Sequence, residues 1–147
     1  MRPLTFREIR DAIENWAAWS SDDEDCYPQV HVVGAEGLYR SPERRHHEAP
    51  NGNVMRVPVV RPDAAAIVEH AMSRWGGTAG AHRARTAIRV EFMLMPARAM
   101  VGIPRERWEA LRAQRARMDV GAYLVALGDG VMRLGRELVP HRRELVA

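Results

Sequence analysis

Prolines and glycines are concentrated between residues 26 and 62, and this concentration separates the parts of the chain that can form long helices. They are Pro28, Gly34, Gly37, Pro42, Pro50, Gly52, Pro58 and Pro62. Proline removes a backbone donor and clashes with the preceding turn, so a helix cannot cross this stretch. We therefore expect an irregular insert over residues 26–62. It has room for short extended pieces at 29–33 and 54–60 and for an exposed loop at 41–53.

The segment before the insert has the pattern of an amphipathic helix that leads into an acidic run ending at Asp25. Thr5 and Glu8 have the spacing of a capping box. Apolar residues then recur every three or four positions, at Phe6, Ile9, Ile13, Trp16 and Ala17. This pattern predicts a helix from Thr5 to about Trp19 with its apolar face buried.

Helical patterns return after the insert and continue over residues 63–147. Asp63 is a suitable N-cap for a helix that reaches Trp75 and stops at two glycines. A second helix is expected over 81–95, and Pro104 then begins a short basic helix that reaches Arg117.

Asp119 is a suitable cap for a last helix of about 20 residues, which ends before Pro140. Its apolar positions alternate by four and three residues, at Val120, Leu124, Leu127, Val131, Leu134 and Leu138. This heptad stripe predicts a buried face. Gly121, Gly128 and Gly135 repeat on another face, where a partner helix can approach closely.

The bulk composition fits one mostly α-helical domain. The chain has 147 residues, of which 46% are hydrophobic, and this is sufficient for one core. Its single cysteine, Cys26, excludes an internal disulfide framework and a cysteine-rich zinc site. No stretch approaches ~20 apolar residues, so we expect a cytoplasmic protein without a membrane segment.

The basic charge comes from arginine alone and is unevenly distributed. The chain has no lysine. Residues 1–60 contain 7 Arg and 10 acids, whereas residues 61–147 contain 15 Arg and 9 acids. A GC-rich genome explains the lack of lysine but not the asymmetry. Because arginine binds phosphate as a bidentate fork, the second part is a candidate nucleic-acid surface.

Arginines are most crowded around the short basic helix. Arg105, Arg107, Arg112, Arg115 and Arg117 share 13 residues with only two acids. A basic helix, a tight break at 118–119 and a longer helix have the order of a helix-turn-helix unit. We expect these arginines and Tyr123, near the start of the last helix, to contact DNA. The alternative is a solvated basic face on an ordinary helical bundle.

Other candidate sites are weaker. His46 and His47 are adjacent and point apart, and Cys26 and His31 lack a metal-ligand spacing to join them. No glycine-rich phosphate loop or nucleophile elbow is present. We therefore expect no enzyme activity, no metal and no cofactor. Trp16 fits the core, whereas Trp19 lies on another face beside acidic residues and is a candidate protein contact.

Several short segments occur in an order that resembles the phage antitermination protein Q family. The segments are IENWAAW (13–19), CYP (26–28), YRSP (39–42), RPDAAAIVEHAM (61–72) and DVGAYLVALGDGVMRL (119–134). Trp16 and Trp19 match a Trp-x-x-Trp helix that is typical of the family. Tyr123, Leu127 and Leu134 match its last helix. The chain departs from the pattern at Arg117-Met118-Asp119, where the family has small turn residues, and at Gly128-Asp129-Gly130.

The resemblance implies a fold that ends in a sigma-factor-like helix-turn-helix, and it implies a function. Such proteins bind DNA near a late promoter, engage host RNA polymerase with its sigma factor, and suppress termination. By this likeness the basic helices contact DNA or nascent RNA, while Trp19, Asp22 and Asp23 contact the polymerase. Two alternatives remain open. One is a helix-turn-helix repressor, and the other is a homodimeric interaction module without nucleic-acid binding.

Overall fold

The computed structural model describes residues 2–21 and 60–146, which are mostly helical and contain no strand. The helical fold class is thereby confirmed for this part of the chain. The extended pieces and loop expected within the insert lie outside the described residues, apart from Val60. So do Asp22, Asp23 and Cys26.

The first helix, α1, spans Phe6–Ser20 and begins as the sequence predicts. The Thr5 N–H donates to Glu8 Oε1 at 2.9 Å, and the Glu8 N–H donates to Thr5 Oγ1 at 3.1 Å. Both hydrogen bonds of a capping box are thus present. Ile13 and Trp16 are buried. Phe6, the first residue of the helix, is 69% exposed instead of buried and belongs to neither hydrophobic cluster.

The second helix, α2, spans Pro62–Ser73 and is anchored differently from our expectation. Asp63 lies inside the first turn and does not cap the helix. Pro62 instead occupies the first turn, where its fixed φ is favourable. The preceding Arg61 is extended and is clamped by Asn15, which donates from Nδ2 to its carbonyl at 3.0 Å and accepts its N–H at 2.8 Å.

The third helix, α3, spans Ala79–Arg89 and passes into a π-helical turn at Val90–Leu94. Here the Met95 N–H donates to the Val90 carbonyl at 2.8 Å, so the helix expected over 81–95 changes its winding near its end. Two 3-10 turns follow, at Ala97–Met100 and Arg105–Arg107.

The remaining helices complete the described part of the chain. Helix α4 spans Trp108–Arg115, and α5 spans Val120–Glu137. A 3-10 turn at Val139–His141 leads into α6, which spans Arg142–Val146. No helix among the described residues is long and apolar enough to cross a membrane.

Helix α5 contributes to two hydrophobic clusters. Leu134 in its C-terminal half and Leu138, which directly follows the helix, belong to the larger cluster with α1, α2 and α3. Its N-terminal half places Tyr123 and Ala126 in a smaller cluster with the π-helical turn and α4. A Cβ placed on Gly130 would lie 2.7 Å from Cδ1 of Ile88, so the glycine lets α3 and α5 pack closely.

The predicted heptad stripe of α5 is right for its second half and wrong for its first. Leu134 and Leu138 are fully buried, but Val120 and Leu124 are 37% and 40% exposed. The buried face of the first half instead follows Tyr123, Ala126 and Gly130. Tyr123 and Ala126 pack on the smaller cluster, and Gly130 faces Ile88 of α3, so the position of these partners decides which face is buried.

Candidate nucleic-acid interface

The connection between α4 and α5 is a tight turn with a strained residue at its centre. The Arg117 N–H donates to the Gln114 carbonyl and the Met118 N–H donates to the Ala113 carbonyl, both at 3.0 Å. These two bonds form a Schellman motif, in which the residue after the helix cap takes a left-handed conformation and is usually glycine. Arg117 occupies that position with φ of 61°, the only non-glycine residue with positive φ in the described part of the chain.

Helix α5 begins immediately after this turn. Asp119 is extended, and its Oδ1 accepts the N–H of Ala122 at 2.7 Å. The cap predicted at Asp119 is therefore confirmed. Because the turn is closed by backbone hydrogen bonds and the helix by a side-chain cap, the start of α5 has a defined position next to the end of α4.

Arg112 is an interior residue and must be removed from the predicted DNA contacts. It is 7% exposed. Its NH1 donates to Glu91 Oε2 at 3.0 Å, and its Nε donates to the Met95 carbonyl at 2.9 Å. The guanidinium also lies over the Trp108 ring, 5.3 Å from its centroid. Because these donors are directed inward and the residue is buried, Arg112 joins α4 to the π-helical turn and is not a surface cation.

Tyr123 is also buried, which excludes it from a DNA contact surface. Its side chain is fully enclosed, and its hydroxyl donates to Glu91 Oε1 at 2.6 Å. Burial, and then the hydrogen bond to the Glu91 carboxylate, raise the pKa of Tyr123 well above its usual range. One carboxylate oxygen of Glu91 thus accepts a hydrogen bond from Tyr123 of α5, and the other accepts one from Arg112 of α4. This network holds the two helices together.

The four other arginines of the predicted cluster are on the surface. Arg105, Arg107, Arg115 and Arg117 are all exposed. The Arg105 guanidinium lies 4.9 Å from the centroid of the Trp108 ring. Such stacking leaves the edge of the guanidinium free to bind an anion.

A fifth candidate cation, Arg83, comes from α3 and was not among the predicted site residues. Arg83 and Arg117 line one groove of about 580 Å³ beside the first turns of α5. Asp119 and Asp129 line the same groove, so its charges are mixed. No local pattern in the sequence relates Arg83 to Arg117, because their proximity results from the packing of α3 against α5.

The exposed side of α5 lacks the groups needed for reading bases. Its first turns present Val120, Gly121, Leu124 and Val125 to solvent, and Asp129 is the first charged side chain after the cap. Direct readout in the major groove needs side-chain donors or acceptors matched to base edges, typically from Arg, Lys, Asn or Gln. The arrangement is therefore suited to phosphate contacts from the arginines around α5 more than to base contacts from α5 itself.

Of the three residues predicted to contact another protein, the structure describes only Trp19. Trp19 lies in the last turn of α1 and is 39% exposed, whereas Asp22 and Asp23 lie outside the described residues. Trp16 is 1% exposed, and its Nε1 donates to Glu69 Oε1 at 2.8 Å. The expected contrast in burial between these two tryptophans is therefore present.

The metal candidates considered above cannot be placed, because Cys26, His31, His46 and His47 lie outside the described residues. Among residues 2–21 and 60–146, no group of three or more His, Cys, Asp or Glu side chains is arranged to hold a metal ion.

Comparison with known proteins gives no relative from which a function can be transferred. No family model matches the chain, and neither a curated protein nor a solved structure is significantly similar to it. What the chain does must be inferred from its own residues.

Proposed function

We propose that this chain is a nucleic-acid-binding transcription regulator in which α4, the Arg117 turn and α5 act as a helix-turn-helix unit. At a finer level, we propose that it is an antitermination factor of the protein Q kind. The resemblance of its short segments to that family supports the assignment as an antitermination factor. The exposed arginines around the turn support the more general proposal of nucleic-acid binding.

The observation that carries the proposal is the conformation of Arg117. A left-handed conformation costs an ordinary residue about 1 kcal/mol relative to glycine. Strain of this kind persists where the side chain has another role, so an observed outlier supports a functional hypothesis. Arg117 is exposed and stands immediately before the N-terminus of an 18-residue helix. The Asp119 carboxylate already caps the first turn of that helix, so the group we expect to bind a phosphate here is the Arg117 guanidinium.

Two arginines near Arg117 are also placed to bind phosphate. Arg115 is exposed at the end of α4, and Arg83 shares a groove with Arg117. Every phosphate that an arginine neutralises releases counterions, which favours binding and makes it salt-dependent. Because α5 presents no base-reading side chains in its first turns, we expect modest sequence specificity from this unit.

The polymerase contact is proposed for the other end of the chain, following the resemblance. Trp19 is a partly exposed aromatic residue in the last turn of α1, and acidic residues follow it in the sequence. Exposed tryptophans often anchor protein interfaces. In this arrangement the arginines hold nucleic acid while Trp19 contacts polymerase.

Duplex binding measured over a range of salt concentrations tests the proposal. Arg115→Ala and Arg117→Ala are each expected to weaken binding and to flatten the log–log salt slope by about 1. Arg143→Ala is the matched control, because Arg143 is an exposed arginine of α6 and its removal changes the net charge equally. Equal losses in all three variants would indicate a net-charge effect and contradict a local interface.

Terminator readthrough in a purified transcription system separates an antiterminator from a repressor. We expect the unmodified protein to increase readthrough. We expect Trp19→Ala to abolish that activity while leaving duplex affinity nearly unchanged, since Trp19 belongs to α1 and the proposed DNA contacts lie elsewhere. A protein that binds duplex DNA but gives no readthrough would be a repressor-like regulator. Parallel loss of both activities in Trp19→Ala would contradict two separate surfaces.

A further inference from the structure

The solvent side of α5 carries a pattern that differs from its buried stripe. Gly121, Val125, Gly128 and Met132 follow one another at spacings of four, three and four residues, which places them on one face. Val125 is 64% exposed and Met132 is 63% exposed. Large apolar and minimal side chains therefore alternate along an open helix face. Apolar side chains so exposed often mark an interaction surface.

Gly121 and Gly128 have free space where a side chain would be, whereas the space at Gly135, the next glycine in the repeat, is occupied. A Cβ on Gly128 would meet no atom within 4 Å, and one on Gly121 would meet only Asp119 Oδ1, at 3.4 Å. A Cβ on Gly135 would lie 2.8 Å from Cδ1 of Ile9. The far end of this face therefore already receives an apolar side chain from another helix, α1.

We propose that the Gly121–Met132 face of α5 binds the same face of a second copy of this chain, with the two helices antiparallel. In that alignment Met132 of each copy lies opposite Gly121 of the other, and Val125 lies opposite Gly128. Every layer then combines one large and one minimal side chain. A parallel alignment would set glycine against glycine and methionine against methionine, leaving alternate layers empty and overfilled.

This complementarity selects a second copy as the partner. A face whose large and small positions exchange on reversal is its own complement, as a two-fold symmetric interface requires. The groove at the Gly121 end is lined by two arginines and two aspartates, Arg83, Arg117, Asp119 and Asp129. Its charges cancel, so this region does not repel a second copy although the chain as a whole is basic.

The pairing does not rest on the proposed function, but the two surfaces adjoin, because Gly121 and Val125 line the same groove as Arg83 and Arg117. Arg105, Arg107 and Arg115 belong to α4 and the turn before it and do not line that groove. A symmetric dimer would carry two such arginine clusters. If the chain binds no nucleic acid, the same dimer is still expected.

Disulfide trapping tests the antiparallel register. In a Cys26→Ser background, which removes the single native cysteine, Val125→Cys and Gly128→Cys are prepared as separate proteins. Oxidation of their mixture is expected to give a covalent dimer on a non-reducing gel, and oxidation of either protein alone is expected to give much less. Val101→Cys replaces Val125→Cys in the control mixture, because Val101 is 81% exposed and lies outside α5. A mixture that cross-links no better than this control would overturn the proposal. Efficient self-cross-linking of each variant would overturn the register.

Sedimentation equilibrium tests the association without any cysteine. We expect a concentration-dependent dimer whose dissociation constant rises at least about tenfold in Val125→Arg, since a charge would be buried without a partner. Val101→Arg adds the same charge outside the face and should leave the constant unchanged. A protein that stays monomeric at all concentrations, or equal effects of the two substitutions, would contradict the interface.

Discussion

Replacing Tyr123 by phenylalanine tests the network that joins α5 to the π-helical turn. The ring keeps its volume, so the main loss is the 2.6 Å hydrogen bond to Glu91 Oε1. A hydrogen bond to a charged group contributes about 1.5–3 kcal/mol. Because the Glu91 side chain is 24% exposed, water can replace part of that bond. We therefore expect a loss near the lower limit, about 1.5 kcal/mol of unfolding free energy at pH 7.

The same substitution should also change the pH dependence of stability. Burial and Glu91 raise the pKa of Tyr123 in the folded protein, whereas the unfolded phenol titrates near pH 10. The stabilisation is therefore fully present below about pH 10 and is lost above it at about 1.4 kcal/mol per pH unit. No lysine titrates in this range. The difference between the original protein and Tyr123→Phe should accordingly shrink towards zero by about pH 11.

Urea denaturation followed by circular dichroism at pH 7 and pH 11 measures both effects. Glu91→Gln is a useful companion, because the amide oxygen still accepts from the phenol while the charge opposite Arg112 is lost. Glu91→Gln should still lose stability above about pH 10, because burial continues to raise the pKa of Tyr123. The reasoning would be refuted if Tyr123→Phe were as stable as the original protein at pH 7, or if the difference between them were the same at both pH values.

The remaining stability predictions concern particular backbone and packing positions. Arg117→Gly should raise the unfolding free energy by about 1 kcal/mol by relieving the left-handed strain, whereas Arg117→Ala should not. Gly130→Ala should lower it by about 1–3 kcal/mol, since the added methyl would overlap an isoleucine of α3. Gly80→Ala meets no atom within 4 Å and should be neutral or stabilising by up to about 1 kcal/mol. Leu134→Ala should cost about 2–5 kcal/mol and Leu124→Ala much less, because Leu134 is fully buried and Leu124 is 40% exposed. Chemical denaturation at low protein concentration measures all six variants.

Local signals in the sequence predicted local structure well. The capping box at Thr5 and the cap at Asp119 depend on residues three positions apart, and both form as expected. Asp63 has an equally good local signal but caps nothing, because Pro62 begins the helix and Asn15 of α1 holds Arg61. A partner distant in the sequence there overrides the local preference.

The candidate site could be predicted only in part for the same reason. The concentration of arginine in the second half of the chain identified a region, but it could not separate surface residues from Arg112. That distinction depends on Glu91, which lies 21 residues earlier in the chain and is placed by an unpredicted π-helical turn. Tyr123 is withdrawn into the core by the same carboxylate. Arg83 reaches the groove through helix packing, which the sequence pattern does not reveal.

The duplex-DNA affinity of Arg117→Gly tests the central proposal most directly, because the fold and the interface should respond in opposite directions. Glycine relieves the strain at φ of 61° but removes the guanidinium before α5. We predict a more stable protein whose affinity for duplex DNA falls by about fivefold to tenfold at 0.1 M salt, as expected for one lost phosphate contact. A more stable protein that binds DNA with unchanged affinity would contradict the assignment of this turn to nucleic-acid binding.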